Sequence, residues 1–245
     1  MLRLFSCFAL LTCLLSGMLI LPVLSSTLAI AAEDPTDILN QEAKEGFVSL
    51  FDGKTLDGWI GKYKGIKAKD GMIMVEEGCR GAILTEKSYG DFVLRFDFRL
   101  HPGTNNGLII RCPKDKRPPK DGMEIQIIDN SAKRYAKLKD YQFHGSLYFV
   151  APAKRGFLKK VGEWNTQEVS CIDNKLKITL NDHVILDIDM DEFDPEHTLG
   201  KHPVPALKYD KGHIGFLCHH DPIEIRNLRI KEPKKEEKPA EKKCE

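Results

Sequence analysis

The chain has 245 residues, with 37 Lys or Arg against 36 Asp or Glu and a formal net charge of +1. A nearly neutral chain lacks the positive field of a general nucleic-acid binder, so we expect no nucleic-acid partner. Hydrophobic residues make up 42% and charged residues 30%, which is typical of a folded soluble domain and excludes wholesale disorder.

The first residues have the organisation of a secretory signal peptide. One cation, Arg3, precedes an apolar stretch that runs from Leu4 to about Leu24, and small residues follow as far as Ala32. This order predicts a signal peptide over residues 1–32 and hence export from the cytoplasm. The apolar stretch is nearly long enough to span a bilayer, so an uncleaved segment that associates the protein with the cell envelope is the alternative.

The central part of the chain has the hydrophobic period of β-strands. In Phe92–Leu100, aromatic and aliphatic residues alternate with charged ones, which is the pattern of a strand with one buried face. Similar runs predict strands at Gly107–Arg111, Gly122–Asp129, Phe143–Phe149, Trp164–Ile172, Leu176–Leu180, Val184–Asp189, His213–Cys218 and Ile223–Ile230. Asn181 and Asp182 separate two of these runs and are typical of a tight hairpin turn.

Many short strands joined by turns predict one all-β domain, built as a two-sheet antiparallel β-sandwich or jelly roll. Residues 131–141 and 190–210 interrupt the pattern, and we expect long loops or helical turns there. The five cysteines outside the signal peptide lack metal-type spacing and are expected to be buried thiols rather than disulfides. Residues 232–245 are mainly Lys, Glu and Pro, which predicts a disordered, solvated tail.

The strand predicted at Gly122–Asp129 carries the first candidate functional residues. Its apolar residues alternate with Glu124 and Gln126, which therefore share one face about 7 Å apart, and Asp129 follows at the strand end. Polar side chains on an outer face serve solubility alone in many strands. The neighbouring strands therefore decide between a solvated face and a functional site.

Two further predicted strands offer polar residues to the same face. Arg111 alternates with apolar residues in its strand, and so do His144 and Tyr148 in theirs. A sheet face that combines carboxylate, guanidinium, imidazole and phenol groups can bind a polyol and move protons. The alternation therefore indicates a site of acid–base chemistry on a polyhydroxylated ligand.

The loop after the predicted strand His213–Cys218 contains two adjacent histidines, the first of them His219, and then Asp221. Neighbouring residues of one loop supply at most two ligands on one side of a metal ion, so we expect no metal or other cofactor, with a divalent metal as the weaker alternative. His219 is also a candidate for proton transfer. Asn106 lies in an Asn-Asn-Gly turn signal, where its amide also suits the hydroxyls of a sugar.

Several ordered motifs resemble those of the 3-keto-disaccharide hydrolase domain family. The longest is Gly46–Trp59, which reads GFVSLFDGKTLDGW and resembles the opening signature of that family. Further matches lie at Asn105–Arg111, Met123–Asp129, Gly145–Tyr148, Gly162–Asn165, Gly212–Gly215, His219–Pro222 and Ile225–Ile230. The resemblance covers residues 46–231, which gives the predicted domain its boundaries. The sequence departs from many relatives at Leu217 and Cys218, where they have Gln-Asp, and at His220, where Gly is common.

The resemblance implies a concanavalin A-like lectin/glucanase sandwich that is exported by a bacterium to the periplasm or the medium. It also implies action on 3-keto-glycosides, with an oligosaccharide or 3-keto-glycoside as the partner. Matching motifs and strand pattern together indicate Glu124, His219, Tyr148 and Arg111 as catalytic residues. Substrate contacts are expected from Asn106, Gln126, Asp129, His144 and Asp221.

The chemistry that the resemblance implies needs a base, an enolate stabiliser and an acid. A ketone at C3 of a sugar makes the C2 proton acidic, and removal of that proton allows β-elimination of the glycosidic oxygen, after which water adds back. We expect Glu124 or His219 to be the base, Arg111 to hold the enolate or a hydroxyl, and Tyr148 to donate a proton. A lectin-like carbohydrate-binding module without catalysis is the first alternative, and a structural surface protein is the second.

Overall fold

The structure is a computed structural model that describes residues 35–233. The predicted signal peptide and the predicted tail beyond residue 233 lie outside the described residues. Within the described part, no helix has the length and apolar character needed to cross a membrane.

The described residues form a β-rich domain with two short helices. The helices are α1 (Pro35–Lys44) and α2 (Pro118–Asp121), and single 3₁₀ turns lie at Lys133–Tyr135, Asp140–Gln142, Met190–Glu192 and Pro205–Lys208. The strands are β1 (Val48–Ser49), β2 (Trp59–Ile60), β3 (Tyr63–Lys69), β4 (Met72–Thr85), β5 (Phe92–Leu100), β6 (Asn105–Cys112), β7 (Met123–Ile128), β8 (Trp164–Ile172), β9 (Lys175–Leu180), β10 (His183–Asp189), β11 (His213–His219) and β12 (Ile223–Lys231).

The strands form one antiparallel sheet that curls on itself into two layers. The strand order is β10-β9-β8-β5-β12-β4-β11-β6-β7. Strand β4 has 14 residues and serves both layers, because Ile73–Val75 pairs with β12 and Gly81–Leu84 pairs with β11. We call β10, β9, β8, β5 and β12 the back layer and β11, β6 and β7 the front layer. The predicted antiparallel β-sandwich is confirmed, with its two sheets joined through β4.

The core lies between the two layers. Phe96 of β5 contacts Phe216 of β11 with ring centroids 5.7 Å apart, although two strands separate them in the sheet. The alternation in β5 fulfils its prediction, since every second residue from Phe92 to Leu100 is buried. Replacing a fully buried ring such as Phe96 by alanine costs about 3–5 kcal/mol of stability, so this interface holds the layers together.

The hairpin turn at Asn181 and Asp182 is confirmed. Both residues have positive φ, of 47° and 67°, which two-residue turns between twisted antiparallel strands require. Asp173 and Asn174 make the same kind of turn between β8 and β9, with φ of 47° and 62°. The four cysteines in the described residues are buried free thiols, as expected.

Several parts of the fold differ from the sequence prediction or were not predicted. Residues 143–149 are not a strand but a series of turns, because Gly145 and Phe149 adopt positive φ and only Leu147 makes bridges to neighbouring backbone. The short elements β1, β2 and α2 were not predicted, and neither were β3 and β4, since glycines interrupt their apolar alternation. Helix α1 was not predicted either, and its Glu42 pairs with Arg229 of the back layer at 2.7 Å.

Candidate active site

A histidine and a carboxylate meet on the outer face of the front layer. His219 ends β11, Glu124 lies on β7, and the two strands are separated by β6. The Nε2 atom of His219 is 3.4 Å from Oε1 of Glu124, and the two side chains are 41% and 11% exposed. The pair therefore has an accessible imidazole and a mostly buried carboxylate.

Gly107 of β6 makes this contact possible. A Cβ atom added to Gly107 would lie 2.2 Å from Oε1 of Glu124, so the carboxylate passes directly over the glycine to reach β11. A glycine inside a strand often marks such a close approach. The sequence predicted a turn at Asn105 and Asn106 and a strand that begins at Gly107, whereas strand β6 already begins at Asn105.

The carboxylate sets the charge state of the imidazole. Contact with Glu124 raises the pKa of His219, because the negative charge stabilises the imidazolium, while partial burial works in the opposite direction. The 3.4 Å separation is long for a hydrogen bond, and Oε1 of Glu124 has no other partner among the described residues. The His219 imidazole can therefore take up a proton, and the distance between its Nε2 atom and Oε1 of Glu124 should then shorten.

Two hydrogen bonds of the Asn106 side chain hold the loop that carries His219 in place. The Asn106 Oδ1 atom accepts a hydrogen bond from the His219 backbone N–H at 3.1 Å, and its Nδ2 donates to the Asp221 carbonyl at 2.9 Å. Asn106 is buried, and the Asp221 carboxylate pairs with Arg134 at 2.7 Å. Asn106 and Asp221 thus position His219. The buried Asn106 amide makes its two hydrogen bonds to this loop, and its contact with substrate stays a prediction.

A cavity of about 440 Å³ adjoins Glu124, whereas His219 is not among the residues that line it. Its lining residues come from α2, β7 and two loops: Pro119, Lys120, Gly122, Glu124, Tyr148, Phe149, His202, Pro203, Val204 and Pro205. Ligand cavities commonly have volumes of about 300–1,000 Å³. Aromatic and proline side chains form one wall, with Phe149 stacked on His202 at 4.6 Å, and Glu124 lies on another. The shape and lining suit a sugar ring with one apolar face.

Tyr148 lies beside Glu124 in this cavity, as predicted from the polar residues of its segment. Its backbone N–H donates to the Glu124 carbonyl at 2.8 Å, which fixes the two residues relative to each other. Its hydroxyl oxygen accepts a hydrogen bond from Nε2 of Gln142 at 2.8 Å, so its own proton remains available to a ligand. Gln126 is buried near the pair and donates from Nε2 to Oδ1 of Asn105 at 2.7 Å.

Arg111 does not join this group, and its predicted role beside Glu124 is wrong. The β6–β11 register shifts between His213 and Gly215, and Arg111 adopts a φ of 53° at that bulge. A bulge inserts a residue and reverses the alternation beyond it. The Arg111 side chain is buried, donates to Asn174, and lines a separate cavity of about 570 Å³ that shares no lining residue with the first.

His144 and Asp129 do not line this cavity, and their contacts with substrate stay predictions. His144 is buried in the core, stacks on Phe98 at 5.1 Å, and has its pKa lowered to about 4 by burial. Burial tends to raise the pKa of Asp129, but hydrogen bonds from Ser131 and from the Gly103 backbone outweigh it and lower the pKa. One carboxylate oxygen of Asp129 accepts a hydrogen bond from the Gly103 backbone N–H and the other from the Ser131 backbone N–H, so Asp129 holds two loops in place.

Three residues depart from the family pattern, and the structure shows where each of them lies. Leu217 lies on the outer face with Ile109 in a small apolar cluster, whereas Cys218 points into the core between the layers. His220 has a φ of 73°, a conformation that favours glycine. The described residues contain no group of three or more His, Cys, Asp or Glu arranged to hold a metal ion.

Comparison with known proteins identifies relatives over most of the domain. The model of the 3-keto-alpha-glucoside-1,2-lyase-like domain family matches residues 46–231. A 3-keto-disaccharide hydrolase of Bacteroides thetaiotaomicron is 25% identical over 235 residues, covering 76% of this chain and 78% of the relative.

Solved structures give the same fold. The crystal structure of a candidate glycosyl hydrolase from Parabacteroides distasonis superposes with a TM-score of 0.67 at 26% identity, covering 76% of this chain and 99% of that one. A Bacillus subtilis protein with a galectin-like fold has a TM-score of 0.52 at 13% identity, covering 72% and 90%, and shows similarity of fold alone.

Proposed function

The chain belongs to the 3-keto-alpha-glucoside-1,2-lyase-like domain family, and we propose that it cleaves 3-keto-glycosides by removing the proton at C2 of the oxidised sugar. The Bacteroides relative is named for 3-keto-disaccharides, which are one such class. The observation that carries the proposal is the His219–Glu124 pair, 3.4 Å apart, whose Glu124 lines a sugar-sized cavity.

His219 is the base in this proposal. It is the more exposed partner, and the mostly buried Glu124 stabilises the imidazolium that forms when His219 takes the C2 proton. The electron pair of the C2–H bond becomes an enolate across C2 and C3. Lys120, which lines the same cavity, supplies the positive charge near the enolate that Arg111 does not provide.

Tyr148 is the acid in this proposal. The enolate re-forms the ketone as it expels the glycosidic oxygen from C1, which leaves a double bond between C1 and C2. Water then adds to C1 and gives a second enolate, which becomes the ketone again when C2 is protonated. Tyr148 gives its proton to the leaving oxygen and regains one from the added water. The exposed His219 exchanges the proton it removed with solvent and then gives a proton to C2. One water molecule is consumed and both residues end in their starting states. The hydrogen bond from Gln142 orients the Tyr148 oxygen for this exchange.

Export is a further part of the proposal. The predicted signal peptide over residues 1–32 supports a location outside the cytoplasm, in the periplasm or the medium. Cell fractionation with an antibody against the domain tests it, and a cytoplasmic protein that retains residues 1–32 would contradict it.

Incubation of the purified protein with a 3-keto-disaccharide and with the same disaccharide unoxidised tests the reaction. We expect release of a 3-keto-monosaccharide from the oxidised substrate alone, because the C2 proton is acidic only beside a ketone. His219→Gln should lower the rate by about 10²–10⁴-fold. His197→Gln is the matched control, because His197 pairs with Asp194 at 2.8 Å on an exposed surface outside the cavity. Saturable binding without any product would instead identify a carbohydrate-binding module.

A further inference from the structure

Positive charge is concentrated in one part of the sequence. Residues 131–163 contain eight Lys or Arg and two Asp or Glu, a net charge of +6, so the rest of the chain carries −5. The near-neutral total therefore conceals a strongly basic segment. Such local asymmetry produces a surface potential that attracts anions even when the whole molecule is neutral.

Two loops of this segment, residues 131–140 and 151–163, form one surface. Arg155 of the second loop lies 3.5 Å from Asp140 of the first and stacks over Phe143 at 4.3 Å. Six exposed lysines lie on the two loops and form no ion pair with another described residue. They are Lys133, Lys137, Lys139, Lys154, Lys159 and Lys160. We call this surface the basic rim.

A groove of about 420 Å³ runs between the loops of the basic rim. Leu100, Leu158 and Val161 give it an apolar floor, while Lys159 and Lys160 line its edge. Sugar rings have apolar faces and polar edges, so an apolar floor with cations beside it fits an acidic saccharide. The groove is open to solvent along the rim.

The basic rim borders the His219–Glu124 site. Arg134 of the rim pairs with Asp221, two residues after His219, at 2.7 Å. The groove is also lined by Asp129, which follows the strand β7 that carries Glu124. Five residues of extended strand span about 16 Å, so a short oligosaccharide reaches from one to the other.

We propose that the basic rim binds a carboxylated polysaccharide and presents a terminal sugar of that chain to the cavity. This rests on the proposed function and names an anionic glycoside as its substrate class. A membrane surface fits less well, because the large exposed hydrophobic residues of the described part are Val48, Tyr63, Val184 and Leu199, all outside the rim. Interfacial membrane binding uses apolar side chains beside the cations.

Binding of sodium polygalacturonate to the purified protein tests the proposal. Isothermal titration calorimetry compares it with fully methyl-esterified polygalacturonate, which has the same sugar backbone without the charge. We expect binding of the charged form that weakens as salt is raised, and binding of the esterified form that is weaker by about tenfold or more. Equal affinity for the two forms would overturn the proposal.

Paired variants locate the binding surface. Replacing Lys133, Lys159 and Lys160 together by Gln is expected to weaken binding by about tenfold, the size expected for three exposed charge contacts. Replacing Lys54, Lys114 and Lys175 by Gln is the control, since these exposed lysines lie outside the rim and the net charge changes by the same amount. Equal weakening in both variants would show a general charge effect and overturn the proposal.

Other outcomes separate this inference from the proposed function. Tighter binding of anionic phospholipid vesicles or of single-stranded DNA than of polygalacturonate would overturn the basic rim as a polysaccharide surface. Cleavage of an uncharged 3-keto-disaccharide without rim-dependent polygalacturonate binding would uphold the reaction and refute the rim. Rim-dependent binding without cleavage of any 3-keto-glycoside would uphold the binding surface and refute the reaction.

Discussion

Gly107→Ala tests whether the contact between Glu124 and His219 controls the site. The new Cβ would lie 2.2 Å from Oε1 of Glu124 and 2.7–2.8 Å from its Cγ and Cδ, whereas ordinary contacts begin near 3.4 Å. The carboxylate must therefore move by about 1 Å or more. Misplacement of a catalytic group by about 1 Å costs on the order of 10²-fold in rate, so we expect a loss of about that size in kcat.

The pKa of His219 gives a readout that does not depend on catalysis. Glu124 raises this pKa in the wild-type protein, so moving the carboxylate away should lower it toward the ordinary histidine value. NMR titration of the His219 ring proton measures the change. Because the base must be unprotonated, the acidic limb of the pH–rate profile should shift to lower pH in the variant.

Gly90→Ala is the control for adding a methyl group. Its Cβ would meet its nearest neighbour, the Asp210 carbonyl oxygen, at 3.4 Å, so this variant should keep the wild-type rate and His219 pKa. Chemical denaturation of both variants separates a local displacement from a loss of folding. An unchanged His219 pKa together with full activity in Gly107→Ala would refute the reasoning.

Three further predictions concern stability and are checked by urea denaturation. The pKa of His144 is lowered to about 4 by burial, so the unfolded chain binds a proton below pH 6.5 that the folded protein does not, and stability should fall by about 3 kcal/mol between pH 6.5 and pH 4. His144→Phe should reduce that fall, and an unchanged slope would contradict the assignment. Glu42→Ala should destabilise the protein by about 3 kcal/mol, because it leaves Arg229 buried without its carboxylate partner, and a change near zero would exclude a structural role for this pair. His220→Gly should stabilise it by about 0.5–1 kcal/mol, because a φ of 73° suits glycine better, and destabilisation would show that the imidazole makes a compensating contact.

The alternation of apolar and polar residues predicted the strand β5 and its buried face correctly. The strand Phe92–Leu100 has the predicted bounds and the predicted buried face, because period-two burial follows directly from the geometry of an extended chain. The same argument placed Glu124 on the outer face beside β6.

The errors arise where the alternation is broken. Arg111 follows a bulge at which φ becomes positive, so its side chain leaves the face that its sequence position indicated. His144 lies in a turn rather than a strand, and its ring enters the core against Phe98. A bulge depends on the register with a partner strand that is distant in sequence, and one sequence does not reveal it.

The close approach of Glu124 to His219 also depends on long-range pairing. Strands β6, β7 and β11 come from separate parts of the chain, and the contact requires Gly107 between them. The sequence shows Gly107 at the start of a predicted strand, but it does not show which two strands flank that strand. The signal for such a contact is a glycine in a strand whose two neighbouring strands both carry a polar residue beside it.

Exchange of the C2 proton with solvent tests whether His219 removes that proton. The purified protein is incubated in D₂O with a 3-keto-disaccharide, and NMR follows the loss of the C2 proton signal from substrate and product. We expect that wild type and Tyr148→Phe place deuterium at C2 and that His219→Gln does so at a rate near the uncatalysed one. Cleavage by the wild-type protein that leaves the original proton on C2 would contradict the account.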